Sequence, residues 1–270
     1  MKIISASERL QQQTGVKMVI FGQYGVGKTS LLKTLNAPTL CLDFEAGMLA
    51  VQDWNGDSIS IRTWDEARDI ACLIGGPNPA SQTVYSQRHF ESIKHKFTSE
   101  SFSKYQCIFI DSITIASKIC LTWSKNQPEA FSNKTGTADL RSAYGLLANE
   151  MSAWLRQFQH IPNKDIIFVG LLDTKTDDYG RTIHVPQIEG TKTSIELPGI
   201  LDEVISMIIS KDPDGTMNRK FVCHTLNPSG YPAKDRSGCL DMIEEANLGK
   251  LLNKIKNKKL KNKLLTKENQ

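Results

Sequence analysis

"VIFGQYGVGKTSLLKTL", residues 19–35, decides how the rest of the chain is read. An apolar run closes on Gly22, a glycine-rich turn follows, and then come Lys28, Thr29 and a leucine-rich segment. Gly22-Gln23-Tyr24-Gly25-Val26-Gly27-Lys28-Thr29 fits the pattern G-x-x-x-x-G-K-[ST], and Ser30 extends it. In that pattern backbone N–H groups turn toward phosphate oxygens. The lysine reaches the β- and γ-phosphates and the threonine hydroxyl ligates Mg2+. A strand before the turn and a helical segment after it, with its N-terminus aimed at the anion, are the context the motif needs. Residues 22–30 are therefore the expected nucleotide-binding set.

The other half of such a site is an acid at the end of an apolar strand. "CIFIDS" supplies Asp111, expected on the metal side with Thr29, and Ser112 stands beside it. Hydrolysis also needs a group that polarises water. Glu45 closes "LDFE", 16 residues after Thr29, and is the expected polariser, placed beside the first strand. Asp43 and Glu45 also read as ordinary strand-end acids.

Working outward, strands are expected at 16–21, 39–45, 58–62, 105–111 and 165–173, the central ones as near-continuous apolar runs. Two more strands flank the "DPDG" turn at 212–215. Helices are expected at 28–35, from the Thr63/Glu66 capping box to Gly75, at 87–96, after Asp111, and at 140–159. A final helix is expected from about Met242. Segments 125–139 and 174–182 read as loops. Strands alternating with helices predict an α/β fold with a mostly parallel sheet flanked by helices. The expected division is an N-terminal segment 1–14, a nucleotide-binding domain 15–247 with an insertion at 75–104, and a lysine-rich helical tail 248–270.

With 270 residues the chain is long enough for a sizeable core. Apolar content of 40% and charged content of 23% are those of a globular protein. No run reaches the ~18 apolar residues of a membrane span, and the first residues lack a signal-peptide core, so a cytoplasmic protein with no membrane partner is expected. The six cysteines form no CxxC pair and read as reduced structural thiols, while the histidines lack metal-ligand spacing. Net charge is +4, but residues 249–270 alone hold eight lysines and one glutamate, +7, which leaves about −3 for the body. The tail reads as a clamp for DNA, a contact for an acidic partner, or a solvated lysine run.

Among users of this loop, a GTPase needs N-K-x-D after a strand, and "NKD" at 163–165 lacks the spacer. An ABC ATPase needs an LSGGQ-type signature, which is absent. A kinase lid is usually arginine-rich, and 174–182 holds Arg181 alone. "DFEAG" at 43–47, "HVPQIEGTKTSIELPGILDEVISM" at 184–207 and "YPAKDRSG" at 231–238 remain. With them, residues 15–255 resemble the phage-encoded RecA-like nucleotide-binding proteins of single-strand annealing. The resemblance implies a RecA-like P-loop core, Mg·ATP as cofactor, and ATP-stimulated binding and annealing of single-stranded DNA beside a single-strand-binding protein. It further implies homo-oligomers with ATP between subunits, and makes Lys234 and Arg236 catalytic candidates for a contact to the neighbour's γ-phosphate. One departure stands out: where the family often has a polar residue before the 174 loop, this chain has Gly170-Leu171-Leu172, and Asp173 and Thr174 are the nearest polar candidates.

The two DNA-facing loops implied are 125–139 and 174–192. They carry Lys125, Lys134, Lys175, Arg181 and Lys192, with Phe131 and Tyr179 as stacking candidates. Without the resemblance these are plain solvated loops. Two alternatives come from other classes: a nucleoside or nucleotide phosphotransferase using 75–104 as a lid, and an ATP-gated adaptor resembling a helicase loader.

Overall fold

A computed structural model of the chain describes residues 3–11, 14–97, 99–132, 136–176, 178–180, 182–212 and 214–257. In chain order the elements are α1 (Ala6–Gln11), β1 (Lys17–Gly22), β2 (Thr39–Asp43), β3 (Asp57–Ser60), α2 (Trp64–Gly75), α3 (Gln87–Ile93), β4 (Cys107–Asp111), α4 (Ile113–Lys125) and α5 (Leu140–Gln159). They continue with β5 (Asp165–Thr176), β6 (Thr182–Pro186), α6 (Thr191–Ile200), β7 (Glu203–Lys211), β8 (Met217–Val222), β9 (Lys234–Asp235), β10 (Ile243–Glu245) and α7, residues 248–257.

The sheet runs β10-β8-β7-β1-β5-β4-β2-β3. From β7 to β3 all neighbours are parallel, which places their C-terminal ends along one edge. Each central strand is buried on both faces, and its alternate residues feed two cores. Val19, Phe21, Ile108, Ile110, Ile166 and Phe168 meet α2, α4, α5 and α6 around Trp64 and Trp154. Met18, Ile20, Phe109, Ile167 and Val169 meet Leu31, Leu32, Phe221 and the α7 residues Leu248, Leu251, Leu252 and Ile255. The start of the lysine-rich tail is thus core, as the helical spacing of its leucines predicts. Lys250 pairs with Glu245, Lys254 with Asp241 and Glu244, and Lys256 with Asp165. Residues 258–270 lie outside the described residues.

Local chemistry sets several boundaries. Thr63 and Glu66 form the capping box of α2: the Thr63 hydroxyl accepts from the Glu66 N–H, and the Glu66 carboxylate accepts from the N–H groups of Arg62 and Thr63. This ends β3 at Ser60, two residues earlier than the alternation predicts. Asp139 caps α5 by accepting from the N–H groups of Arg141 and Ser142, and α5 spans the expected 140–159.

The expected helical segment after the loop is a 3-10 helix, Thr29–Thr34. Three expectations are corrected. Segment 174–182 is a turn only at its centre, 178–180: β5 overshoots the sheet to Thr176 and pairs with β6, Thr174 opposite His184 and Thr176 opposite Thr182. Its β-branched residues favour that extended ribbon. The last helix starts at 248, because Ile243–Glu245 adds an antiparallel strand to β8. The 75–104 insertion is no lid. It joins the end of α2 to the start of β4, at the edge of the sheet away from the C-terminal strand ends. There Tyr85, Ile93 and Phe102 enter the core, and the Lys164 ammonium donates to the Phe102 carbonyl at 2.9 Å.

Candidate nucleotide site

Gly22 is the last residue of β1, and the chain turns there over the C-terminal edge of the sheet. Gln23, Tyr24 and Gly25 form the exposed crest, Val26 is buried under it, and Thr29 and Ser30 open the 3-10 helix. Gly27 has φ +98°, a conformation that L side chains rarely adopt. Lys28 is buried, and its ammonium donates to the carbonyls of Gly22 (3.0 Å) and Gln23 (2.9 Å). Burial holds its pKa below the ordinary lysine value, against the opposing pull of Asp111 and Glu45. The loop is closed around its own lysine.

The metal-side pair is assembled. The Thr29 hydroxyl donates to Asp111 Oδ2 at 2.6 Å, across 82 residues of sequence. Burial pushes the Asp111 carboxyl up to about 6, the Thr29 bond opposes this, and Glu45 and Asp43 add to it. Asp111 and Glu45 thus share one lysine, with Asp43 close enough to raise Asp111 further. Hard oxygen donors with excess negative charge fit Mg2+. Among the described residues no group of three or more His, Cys, Asp or Glu side chains could hold a metal by itself. Phosphate and water oxygens would complete the shell of an ion held at Thr29 and Asp111.

Glu45 reaches the same place by a route other than the expected one. β2 pairs with β4 and β3, not with β1, so Glu45 is not beside the first strand. It faces the end of β4, where the Ser112 hydroxyl donates to its Oε1. Ser112 is also the N-cap of α4, so one side chain ties the Glu45 carboxylate to a fixed helix start. Asp43, buried, accepts from the N–H groups of Glu45 (3.0 Å) and Gly47 (3.3 Å). That turn holds Ala46 at φ +55°, a left-handed conformation costly for a non-glycine residue.

β5 lies between β1 and β4, so its C-terminal end stands between the phosphate loop and Asp111. Close packing disfavours a side chain at Gly170, the first of the three residues Gly170-Leu171-Leu172 there. A methyl group on Gly170 would stand 2.9 Å from both Ile113 Cγ2 and Phe21 Cε1, so a side chain at this position would force its neighbours to shift. Asp173 and Thr174 are exposed on the β5–β6 ribbon.

Lys234 and Arg236 stand elsewhere. β9 pairs with the start of β7, Asp235 opposite Glu203, and Glu203 pairs with Met18 at the start of β1. From there to Gly22 is about 13 Å at ~3.3 Å per residue. The Lys234 ammonium donates to the carbonyls of Leu201 (2.8 Å) and Pro198 (2.5 Å), and Arg236 donates to Gly199 O (3.0 Å) and Asp202 Oδ1 (2.9 Å). Both close the C-terminal end of α6.

Of the DNA-facing candidates, Lys175 and Lys192 come together around a cavity of about 790 Å3 under the β5–β6 ribbon, also lined by Tyr144. Lys192 lies 3.9 Å from Glu196. Tyr179, 84% exposed, sits in the turn of the ribbon. Lys125 ends α4 and Phe131 is exposed in the next loop; neither lines that cavity. Lys134 and Arg181 lie outside the described residues.

One residue that motif reading missed touches the loop. Arg219 of β8 lies against Gly27, its Cζ 2.7 Å from where a methyl group on that glycine would stand. It is 190 residues from Thr29 in sequence, and no motif marks it.

No curated protein matches the chain. Among solved structures it is similar to a prototypical ATPase from the type III secretion system of pathogenic bacteria, at 15% identity and TM-score 0.40, over 76% of this chain and 56% of that one. It is also similar to the flagellar accessory protein FlaH from Methanocaldococcus jannaschii, at 10% identity and TM-score 0.35, over 85% and 87%. The chain spans little more than half the length of the secretion ATPase. The model of the AAA domain family matches residues 14–237, most of the chain and all of the loop, Asp111 and Glu45, and the chain belongs to that family.

Proposed function

We propose that the chain binds Mg·ATP and hydrolyses it, and that it couples this cycle to single-stranded DNA in annealing or recombination. The observation that carries the nucleotide half is the convergence of Lys28, Thr29, Asp111 and Glu45 at one strand edge, with Thr29 and Asp111 joined at 2.6 Å. When ATP enters, the Lys28 ammonium exchanges the Gly22 and Gln23 carbonyls for β- and γ-phosphate oxygens. Thr29 and Asp111 would hold Mg2+, which would supply positive charge against the β- and γ-phosphates. Glu45, aimed by Ser112, accepts a hydrogen bond from a water in line with the γ-phosphorus. As the water oxygen bonds to phosphorus its proton passes to Glu45, the bond from phosphorus to the β-phosphate oxygen breaks, and ADP and inorganic phosphate leave.

The DNA half rests on the resemblance to phage annealing proteins, and on Lys175 and Lys192 with Tyr179 around the ribbon. Homo-oligomers with ATP between subunits, a single-strand-binding partner and a setting in the host cytoplasm belong to the same reading. The packing of Tyr85, Ile93 and Phe102 into the core favours this reading over a phosphotransferase that uses 75–104 as a lid.

The test is ATP turnover with Mg2+, with and without single-stranded DNA, for wild type, Lys28→Ala and Glu45→Gln. Turnover stimulated by DNA and lost in both variants is expected. Turnover that ignores DNA overturns the DNA half, and turnover that survives Glu45→Gln overturns the role of Glu45.

A further inference from the structure

The phosphate loop has two flanks. On one, β5, β4 and β2 bring Asp111 and Glu45; on the other stand β7 and then β8. The metal pair fixes the β/γ end of a triphosphate on the β4 flank. A nucleotide that begins there and follows the loop must leave its α-phosphate, ribose and base on the β7–β8 flank.

That flank carries one face of side chains. Met207 and Phe221 are buried in the core beneath the loop, beside Leu31 and Leu32. Two residues farther along each strand on the same face come Ile209 and Arg219, which pair directly. Beyond Arg219 comes Met217. Arg219 reaches Gly27, while Ile209 and Met217 are 50% and 61% exposed. The neighbours of Arg219 on β8 are engaged elsewhere: Lys220 pairs with Asp212, and the Asn218 amide donates to Asp212 Oδ2 at 2.7 Å. Among the described residues no acid pairs with Arg219. An unpaired guanidinium thus lies on the loop, with an apolar shelf just outside it.

We propose that Arg219 binds the α-phosphate–ribose end of the nucleotide, with Ile209 and Met217 as the surface on which the base lies. This rests on the nucleotide reading above. Guanidinium suits the role, since its fixed N–H groups hold two oxygens at once. The contact is the same for di- and triphosphate, so it sets affinity rather than the chemical step.

The test is calorimetric binding of ATP and ADP with Mg2+ to wild type, Arg219→Ala, Arg219→Met and Arg219→Lys, with the melting temperature of each free variant as the folding control. Arg219→Ala and Arg219→Met should weaken ATP and ADP by the same factor, about tenfold or more, as for a hydrogen bond to a charged group. Arg219→Lys should recover part of the loss, and KM should rise with kcat unchanged. Wild type that binds no nucleotide overturns the nucleotide reading and this assignment with it. Wild type that binds while both Ala and Met bind as tightly overturns this assignment alone. Full affinity in Met with loss in Ala reduces Arg219 to packing, and a loss confined to ATP puts it at the γ-phosphate; either result overturns the assignment.

Discussion

The two edges of the parallel sheet hold comparable clusters of charge and treat them in opposite ways. At the N-terminal edge, charge meets charge or backbone within the protomer. Asp202 takes Arg236 and the Lys17 N–H, Lys17 reaches the carbonyls of Gly15 and Lys164, Asp165 takes Lys256, and Glu203 accepts from the N–H groups of Arg236 and Ser237. At the C-terminal edge Glu45 and Asp111 face one lysine that is turned to its own loop, Asp43 lies beside Asp111, and Arg219 lacks an acid. Both clusters shift pKa values, so perturbed titration alone does not tell a site from a brace. What separates them is closure: the brace satisfies itself, and the site is left open for a ligand with negative charge and a cation.

The largest effect that sharpens this contrast is loss of the phosphate-loop lysine. Lys28→Ala should abolish measurable ATP binding, a loss of at least about 100-fold, with little change in the melting temperature of the free protein, because losing its bonds to the carbonyls of buried Gly22 and exposed Gln23 is offset by no longer burying a charge. Calorimetry and thermal melting check it together. A variant that melts far lower would show Lys28 to be a brace as well.

Glu45→Gln comes next. It keeps the shape and the hydrogen bond from Ser112 but cannot polarise water as a carboxylate does. Turnover should fall about 100-fold while ATP affinity holds within a few-fold, read from single-turnover hydrolysis against equilibrium binding.

The third effect is a pH dependence with opposite readings for free and loaded protein. The Asp111 carboxyl is raised from 3.8 to about 6 in the fold, so the free protein binds that proton more tightly than the unfolded chain does. Its contribution is full below about 4 and is lost as pH rises through about 6. Mg·ATP favours the carboxylate, so the melting shift caused by Mg·ATP should grow between pH 5 and pH 7. Asp111→Asn should flatten that growth. A shift equal at both pH values would break the assignment of Asp111 to the metal side.

The two edges were unequally legible in the sequence. The loop and Asp111 announce themselves because their chemistry lies in consecutive residues on a strand end. The partners of Glu45 do not, since chain order places β2 after β1 while the sheet places it beyond β5 and β4. Arg219 was illegible for the same reason, its approach to Gly27 being a product of the β8-β7-β1 order. The β5–β6 ribbon was misread because polarity was taken as a loop signal, although its β-branched alternation was in view. Lys234 and Arg236 looked catalytic by motif, and the structure gives each two acceptors at the end of α6.

At the N-terminal edge, Glu203 supplies the matching pH test. Burial and Asp235 push its carboxyl up to about 7, against the N–H groups of Ser237 and Arg236. The fold therefore favours its protonated form: stability falls as pH rises from about 4.5 through 7. Glu203→Gln should remove that slope in thermal melts across this range and leave nucleotide binding unchanged. A change in ATP affinity would join the two edges and break the comparison.

The smallest effect is the most discriminating. Arg236 is 46% exposed at its side chain and Asp202 35%, and a half-exposed ion pair with one carbonyl contact contributes about 0.5–1 kcal/mol. Arg236→Ala should lower the melting temperature slightly, by more in low salt than in high, and leave turnover intact across a wide range of protein concentrations. A collapse of turnover with an unchanged melt would mean that in an oligomer this edge meets the open edge of a neighbour, and that Arg236 leaves Asp202 for a neighbour's γ-phosphate. The brace would then be a resting state of the site, and closure within one protomer would no longer distinguish the two.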